Sequence, residues 1–496
     1  MMAGCSAMIF SGCPTGIPYT VSGEIEENIH GRRFSSGPVQ SMQADDAKSG
    51  SDMKEKWERL LSYKRSNGDS LTEGAFDPVR NPFVIDQDRI TFSSSFRRLS
   101  KKTQVHPLNR NDHIHNRLTH SMEAASVARS IAATVGVLVK EKGHLPDIFF
   151  PDHLGQIAQA ACLAHDIGNP PFGHAGESAI QDWFCDPAHH KYIKDIPDVC
   201  QADFKLFDGN AQGFRVVNAL ENNKDKGGLR LTCATLGALV KYPVSAYEAN
   251  GRGKKKFNYY QSEKEIFATV FEDLGLLDKG RYARHPLSYI TEAADDICYR
   301  IVDIEDAREL KILSFKDMLE VTQPLHDTMK FDSSKFETMD SDRRRSSVLR
   351  TMVVGEMIQA SAKAFDDNYD AILAGTATGS LIAMCRESAV HYMENAKNIF
   401  NKKIKNEPQK IALEIGTYSM YRTLLNVFIP ACHGQIKGDS LSYKDERALD
   451  LMGVNRPMES DDLYMGYLRV VDFITGMTDN YATFIAEQFS GSGTGK

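Results

Sequence analysis

Over residues 117–140 apolar side chains return every three or four positions, at Leu118, Met122, Ala125, Ala128, Ile131, Ala132, Val135 and Leu138. That spacing is one stripe of an α-helix, whereas a strand repeats every second residue. The same period governs most of the chain. A second helix is expected over 154–165, with Ile157, Ala160, Ala161 and Ala164 on one face. Gly168-Asn169-Pro170-Pro171 ends it, because proline lacks the donor a helix interior needs. A third begins near His174 and runs through Phe184. The pattern predicts others over 53–63, 210–222, 229–240, 261–274, 287–309, 315–329, 341–365, 366–401, 408–429 and 459–488. Thr119 or Ser121 is the expected start of the first helix, and Gly143 its stop. Strand signals are few. The fold class is therefore all-α, with one small β-hairpin expected near 244–260.

At about 150 residues per domain, a chain of 496 residues holds three domains or one large body with additions. No internal repeat is visible. Residues 1–50 are rich in Gly and Ser without sustained periodicity and read as a disordered or loosely ordered arm. Acidic residues outnumber basic ones, 66 to 59, for a net charge of −7. A polyanion finds no general attraction here, so an anionic ligand needs a local basic site. The nine cysteines include no CxxC pair. Cys162, Cys233 and Cys298 fall in apolar-periodic segments and read as small core residues, which suits a reducing compartment. No run of eighteen apolar residues exists, and the N-terminus lacks the basic start and apolar block of a secretory signal. The expectation is a cytoplasmic protein with no membrane partner.

Histidines and carboxylates coincide in four helical places. These are His120, the adjacent pair His165-Asp166, His174 with Glu177, and Glu292 through Asp295-Asp296 to Tyr299 and Asp303. A lone histidine on an apolar face is usually a core or surface residue. An adjacent His-Asp closing an apolar helix is different, since burying that carboxylate unpaired is costly. Asp295-Asp296 in an Ala-rich helix poses the same problem. One cation shared by these groups solves both. Two imidazoles and two carboxylates give four N/O ligands, which suits Mn, Fe, Co, Ni, Zn or Mg and keeps positions free for water and a substrate oxygen. Such a centre polarises a phosphoryl group and acidifies water. Asp295, Tyr299 and Asp303, four residues apart, form one stripe on a helix.

The flanking text is more specific. Phe96-Arg97-Arg98-Leu99, Lys102-Thr103-Gln104-Val105, Arg117-Leu118-Thr119-His120-Ser121, the stretch from His165-Asp166-Ile167-Gly168-Asn169 to His174, and 292–299 resemble the deoxyguanosine triphosphate triphosphohydrolase family of the HD superfamily. The strong similarity spans roughly residues 76–310. The resemblance implies an HD-type helical catalytic core over 51–310 and a helical C-terminal region over 311–496 packed on it. It implies metal ligands at His120, His165, Asp166 and Asp295, and a catalytic His and acid at His174 and Glu177. Gln104 matches the residue that reads the sugar 3′-hydroxyl, and Asp303 its partner. Tyr299 matches the aromatic packed on the deoxyribose, which leaves no room for a 2′-hydroxyl. Arg117 matches a phosphate contact. Asn210, Lys241 and Tyr242 resemble further substrate contacts, and one of Lys255 or Lys256 is placed at the phosphates.

The implied activity is hydrolysis of dGTP, or of other dNTPs, to deoxynucleoside and tripolyphosphate by attack of water at the α-phosphorus. The implied assembly is a homo-oligomer, a hexamer or tetramer. Two alternatives remain: another HD phosphodiesterase or 5′-nucleotidase, and a non-catalytic protein binding nucleotide or single-stranded nucleic acid. The basic stretch Arg252, Lys254, Lys255 and Lys256 beside Tyr259 and Tyr260 reads either as a solvated loop or as a loop touching phosphates of such a strand.

Overall fold

The structure is a computed structural model that describes residues 44–66, 80–106, 111–221 and 228–493. The arm expected over 1–50 lies outside the described residues up to residue 43, and helix Ala44–Leu60 begins there. Lys48–Lys496 form one unit.

Two antiparallel helices, Arg117–Glu141 and Pro151–Ala164, form the centre of that unit. Their axes come close because glycine faces the contact: a Cβ on Gly136 would stand 2.5 Å from the Pro151 carbonyl oxygen. Ala124, Ala128, Ile131 and Val135 of one and Leu154, Ile157, Ala158 and Ala161 of the other are fully buried in one shared core. The helix Pro286–Glu309 packs against both and buries Ile290, Ala293, Ala294, Ile297 and Ile301. Cys162, Cys233 and Cys298 are buried here as free thiols.

The first helix starts earlier than either expected cap, its own cap lying three residues before Thr119 and five before Ser121. Asn116 is the N-cap, and Thr119 is the third residue of the helix, closing a capping box with it. Asn116 Oδ1 accepts the Thr119 amide, and Thr119 Oγ1 accepts the Asn116 amide, both at 3.1 Å. By length and composition alone this helix would suffice to cross a membrane. Half of that apolar window is buried inside the protein, so it is a core helix.

A second core gathers Trp183 and Phe184 from helix His174–Cys185 with Tyr421, Phe428, Tyr467 and Val471 from helices Pro408–Lys437 and Leu463–Thr475. The chain passes from the first core to the second between Ile167 and Ala179. That crossing carries Gly168-Asn169-Pro170-Pro171 and His174.

The hairpin near 244–260 is not there. Ser245 instead caps a short helix, Ala246–Gly251, in a box with Glu248, and only an isolated bridge joins Ser245 to Tyr259. Among the described residues the paired strands are Leu277–Asp278 and Arg281–Tyr282. Their turn places Lys279 and Gly280 at φ 46° and 75°, the backbone that tight hairpins require. The expected helix over 366–401 is also interrupted. Helix Tyr369–Leu373 stops at Gly375 and helix Glu387–Ile399 resumes after Gly379, both glycines having positive φ. The segment over 459–488 divides into Leu463–Thr475 and Asp479–Phe489, the second capped by Thr478.

Candidate active site

The first turn of Arg117–Glu141 presents Arg117 and His120, the end of Pro151–Ala164 presents His165 and Asp166, and the middle of Pro286–Glu309 presents Asp295. These three elements pack on one another, so their polar groups converge. His120 Nε2 lies 3.0 Å from Asp295 Oδ1, and His165 Nε2 lies 3.6 Å from the same oxygen. His165 Nδ1 meets the Cys162 carbonyl at 2.6 Å. The carbonyl accepts, so Nδ1 carries a proton and Nε2 is the nitrogen turned toward the carboxylates. That Nε2 is buried without a hydrogen-bond partner. One atom each from His120, His165 and Asp295 falls within 4.8 Å of the others.

Asp166 stands beside this trio. Its Oδ1 is 3.6 Å from His165 Nε2 and also takes the Asn169 amide, while its Oδ2 takes Arg117 at 2.7 Å. Burial opposes ionisation of Asp166, but the Arg117 guanidinium and the two imidazoles hold it below the usual carboxylate range. Burial likewise opposes charge on Asp295, and His165 and His120 hold it well below. Two carboxylates facing two imidazole nitrogens form a donor set that fits a divalent cation of the Mn, Fe, Co, Ni, Zn or Mg class.

Next to this cluster is a cavity of about 320 Å³. Gln104, Arg117, His165, Asp166, His174, Glu177, Asn210, Lys241, Tyr242, Lys256, Asp295 and Tyr299 line it. His120 and Asp303 lie beneath the lining, 0% and 1% exposed. His174 projects into it with its side chain 84% exposed, and its Nδ1 is 2.8 Å from Glu177 Oε2. Glu177 is buried, and its Oε1 accepts the Gly209 amide at 2.8 Å. Burial works against its charge, but the His174 hydrogen bond and Lys256 bring it down to about 2.

The cations around the cavity are each held by a carboxylate. Lys256 Nζ is 3.0 Å from Asp208 and 3.6 Å from Glu177. Lys241 Nζ is 3.3 Å from Glu292. Burial disfavours its charge, yet Asp295 and Glu292 push its pKa up. Asp208 also fixes Asn210, accepting its backbone amide at 2.9 Å and its side-chain amide at 2.7 Å. Of the basic stretch only Lys256 enters the site, because Arg252, Lys254 and Lys255 are exposed to solvent.

Glycine is required at 173. Its φ is 55°, and a Cβ there would stand 2.5 Å from Arg117 Nη2. At the other end Gln104 Oε1 and both Asp303 oxygens are buried without partners. Burial pushes Asp303 well above the ordinary carboxylate range, with Arg300 opposing.

Sequence reading missed part of the lining. Lys410, Glu414 and Thr417 come from the distant helix Pro408–Lys437. Their i, i+4, i+7 spacing marks a shared face, but nothing local says that this face meets the site. Asp208 is the N-cap of Gly209–Arg215, so its second task is hidden behind an ordinary first one.

Comparison with known proteins adds family context. Residues 117–222 match the family described as HD domain. That match includes His120, His165, Asp166, His174, Glu177 and Asn210, and it ends before Asp295. The chain is 43% identical over 445 residues to a deoxyguanosinetriphosphate triphosphohydrolase-like protein of Pseudomonas aeruginosa (strain LESB58), covering 88% of this chain and 98% of the relative. A similarly named protein of Synechocystis sp. is 35% identical over 453 residues, 88% and 99% of the two chains. The deoxyguanosinetriphosphate triphosphohydrolase of Serratia proteamaculans (strain 568) is 33% identical over 430 residues, 77% and 82%.

Proposed function

The chain belongs to the deoxyguanosinetriphosphate triphosphohydrolase family of HD-domain proteins, and from that premise we propose that it hydrolyses dGTP, with other dNTPs as alternative substrates, to deoxynucleoside and tripolyphosphate. The observation that carries the reading is one cavity. It joins the His120, His165, Asp295 cluster to His174 and Glu177 and to three placed cations, Arg117, Lys241 and Lys256.

His120, His165, Asp166 and Asp295 would hold the divalent ion, which when bound supplies a Lewis acid for the α-phosphoryl group and an acidified water. The remaining work falls to the chain. Arg117, Lys241 and Lys256 stabilise the charge that spreads over the phosphates as water adds to the α-phosphorus and the bond to the 5′-oxygen breaks. Their carboxylate partners hold them in place beforehand, so little reorganisation is needed at the moment of reaction. Glu177 accepts the His174 Nδ1 proton and fixes the ring, and the other ring nitrogen delivers a proton to the departing 5′-oxygen.

Tyr299 packs on the deoxyribose and closes the space a 2′-hydroxyl would need. Gln104 and Asp303 read the 3′-hydroxyl, and their orphaned buried oxygens support that role, since a buried acceptor without a partner is costly. Hydrolysis takes place in the cytoplasm, by a core over 51–310 and a C-terminal region over 311–496. Ile411, Ile415 and Tyr418, exposed on one face of Pro408–Lys437, support association into a hexamer or tetramer.

Incubation with each dNTP and Mn or Mg, with products separated by anion exchange, tests the reading. Tripolyphosphate and deoxynucleoside are expected. Monophosphate or orthophosphate would indicate a phosphodiesterase or nucleotidase, and no turnover with any dNTP would overturn the enzyme reading.

A further inference from the structure

Two irregular loops line the cavity. One carries Thr103, Gln104 and Val105 after the turn Leu99–Lys101. The other carries Phe172 and Gly173 ahead of His174. Phe172 has φ 61°, a conformation that a bulky side chain keeps only when its surroundings enforce it. The second loop therefore needs an external hold.

Asp479 provides one for both. It is the first residue of helix Asp479–Phe489 and is 2% exposed. Its Oδ2 accepts the Thr103 amide at 2.8 Å and the Thr103 hydroxyl at 2.5 Å, and its Oδ1 accepts the Phe172 amide at 3.0 Å. The carboxylate is not spent on its own helix, because Thr478 is the cap and accepts the Tyr481 amide. Beside it, buried Lys102 donates to the Asn169 carbonyl at 2.5 Å and to the Thr475 carbonyl at 2.7 Å. The last two helices thus hold the two loops at a set distance.

We propose that Asp479 is a positioning residue that fixes the sugar-reading loop relative to the His174 loop, so that a bound substrate meets both at once. This rests on the reading of the cavity as a deoxynucleotide site.

The test uses the full-length, Mn-loaded protein and two substrates, dGTP and its 2′,3′-dideoxy analogue. In the wild type Gln104 and Asp303 favour dGTP through the 3′-hydroxyl. In Asp479→Ala the loop at Thr103 drifts, so the ratio of kcat/KM between the two substrates falls by about tenfold or more, and kcat falls with both. Asp479→Asn keeps one acceptor and lies between the two. Ala482→Gly weakens the same helix without touching the carboxylate, and it lowers Tm while the ratio stays at the wild-type value. A ratio in Asp479→Ala equal to wild type overturns the proposal.

Amide hydrogen exchange supplies a readout that needs no turnover. Loss of the fork in Asp479→Ala speeds exchange at Thr103 and Phe172 by about tenfold relative to Ala482→Gly. Equal protection in the two variants overturns the proposal even in a protein that hydrolyses no dNTP. Absence of turnover in the wild type counts against the activity alone.

Discussion

Glu177 Oε2 lies 2.8 Å from His174 Nδ1, one helical turn away, while its other oxygen accepts the Gly209 amide at the same distance. A buried, ionised carboxylate gripped on both oxygens cannot wander, so the imidazole it holds is fixed although that ring is exposed. His174→Ala should lose most turnover, and Glu177→Gln should lose about 100-fold in kcat. Neither side chain belongs to the His120, His165, Asp295 trio, so metal content measured by mass spectrometry should stay at the wild-type level. Unchanged turnover in His174→Ala would remove it from the mechanism.

Arg117 bears on the proposed metal ligands through Asp166. Its guanidinium takes Asp166 Oδ2 at 2.7 Å and keeps that carboxylate ionised beside His165. Removing such a supporting partner typically weakens metal affinity by about 10- to 100-fold. Arg117→Ala should therefore need more Mn for half-maximal activity, as well as losing phosphate contact. Metal titration followed by equilibrium dialysis separates the two effects. Chelation of the wild type should abolish turnover, and restoring Mn should recover it.

These groups differ in how visible they are in the sequence. His165-Asp166 and Asp295-Asp296 stand out because acids that close or interrupt an apolar stripe need a reason to be there. Asp479 and Asp208 carry no such mark. Each sits at a helix start, where an acid is ordinary, and only the folded chain shows what its oxygens hold. Long periodic helices such as Arg117–Glu141 are legible for the same reason that the ribbon over 277–282 is not: strands two residues long have no period to detect. The start of Arg117–Glu141 is less legible than its body. Asn116 and Thr119 both have cap-forming side chains, and the structure uses both, with Asn116 outside the helix.

Gly173 links sequence to rate in a different way. At φ 55° and ψ −124° its backbone is in glycine territory, and a side chain there meets Arg117 Nη2. Gly173→Ala must shift either the loop or the guanidinium. Backbone strain of this kind costs about 1–3 kcal/mol. The expected result is a lower Tm together with a fall in kcat/KM of about tenfold or more, because His174 is the next residue. A variant with wild-type kinetics would show that the loop has slack.

Asp203 makes a prediction about stability alone. It is 1% exposed; its Oδ2 accepts the Tyr464 hydroxyl at 2.6 Å and the Gln261 amide at 2.8 Å, and its Oδ1 has no partner. Burial pushes its pKa up to about 7, against the two hydrogen bonds, and nearby Glu263 adds to the rise. A raised folded-state pKa means that the folded protein binds this proton more tightly than the unfolded chain does. The stability it contributes is therefore complete below about pH 4 and is lost as pH rises toward 7, a change of about 4 kcal/mol. Asp203→Asn keeps an oxygen for both donors and removes the titration. Across that window the stability difference between the variant and wild type, measured by urea unfolding, should change with pH in favour of the variant. A difference that stays flat from pH 4 to 7 would mean that Asp203 is ionised throughout.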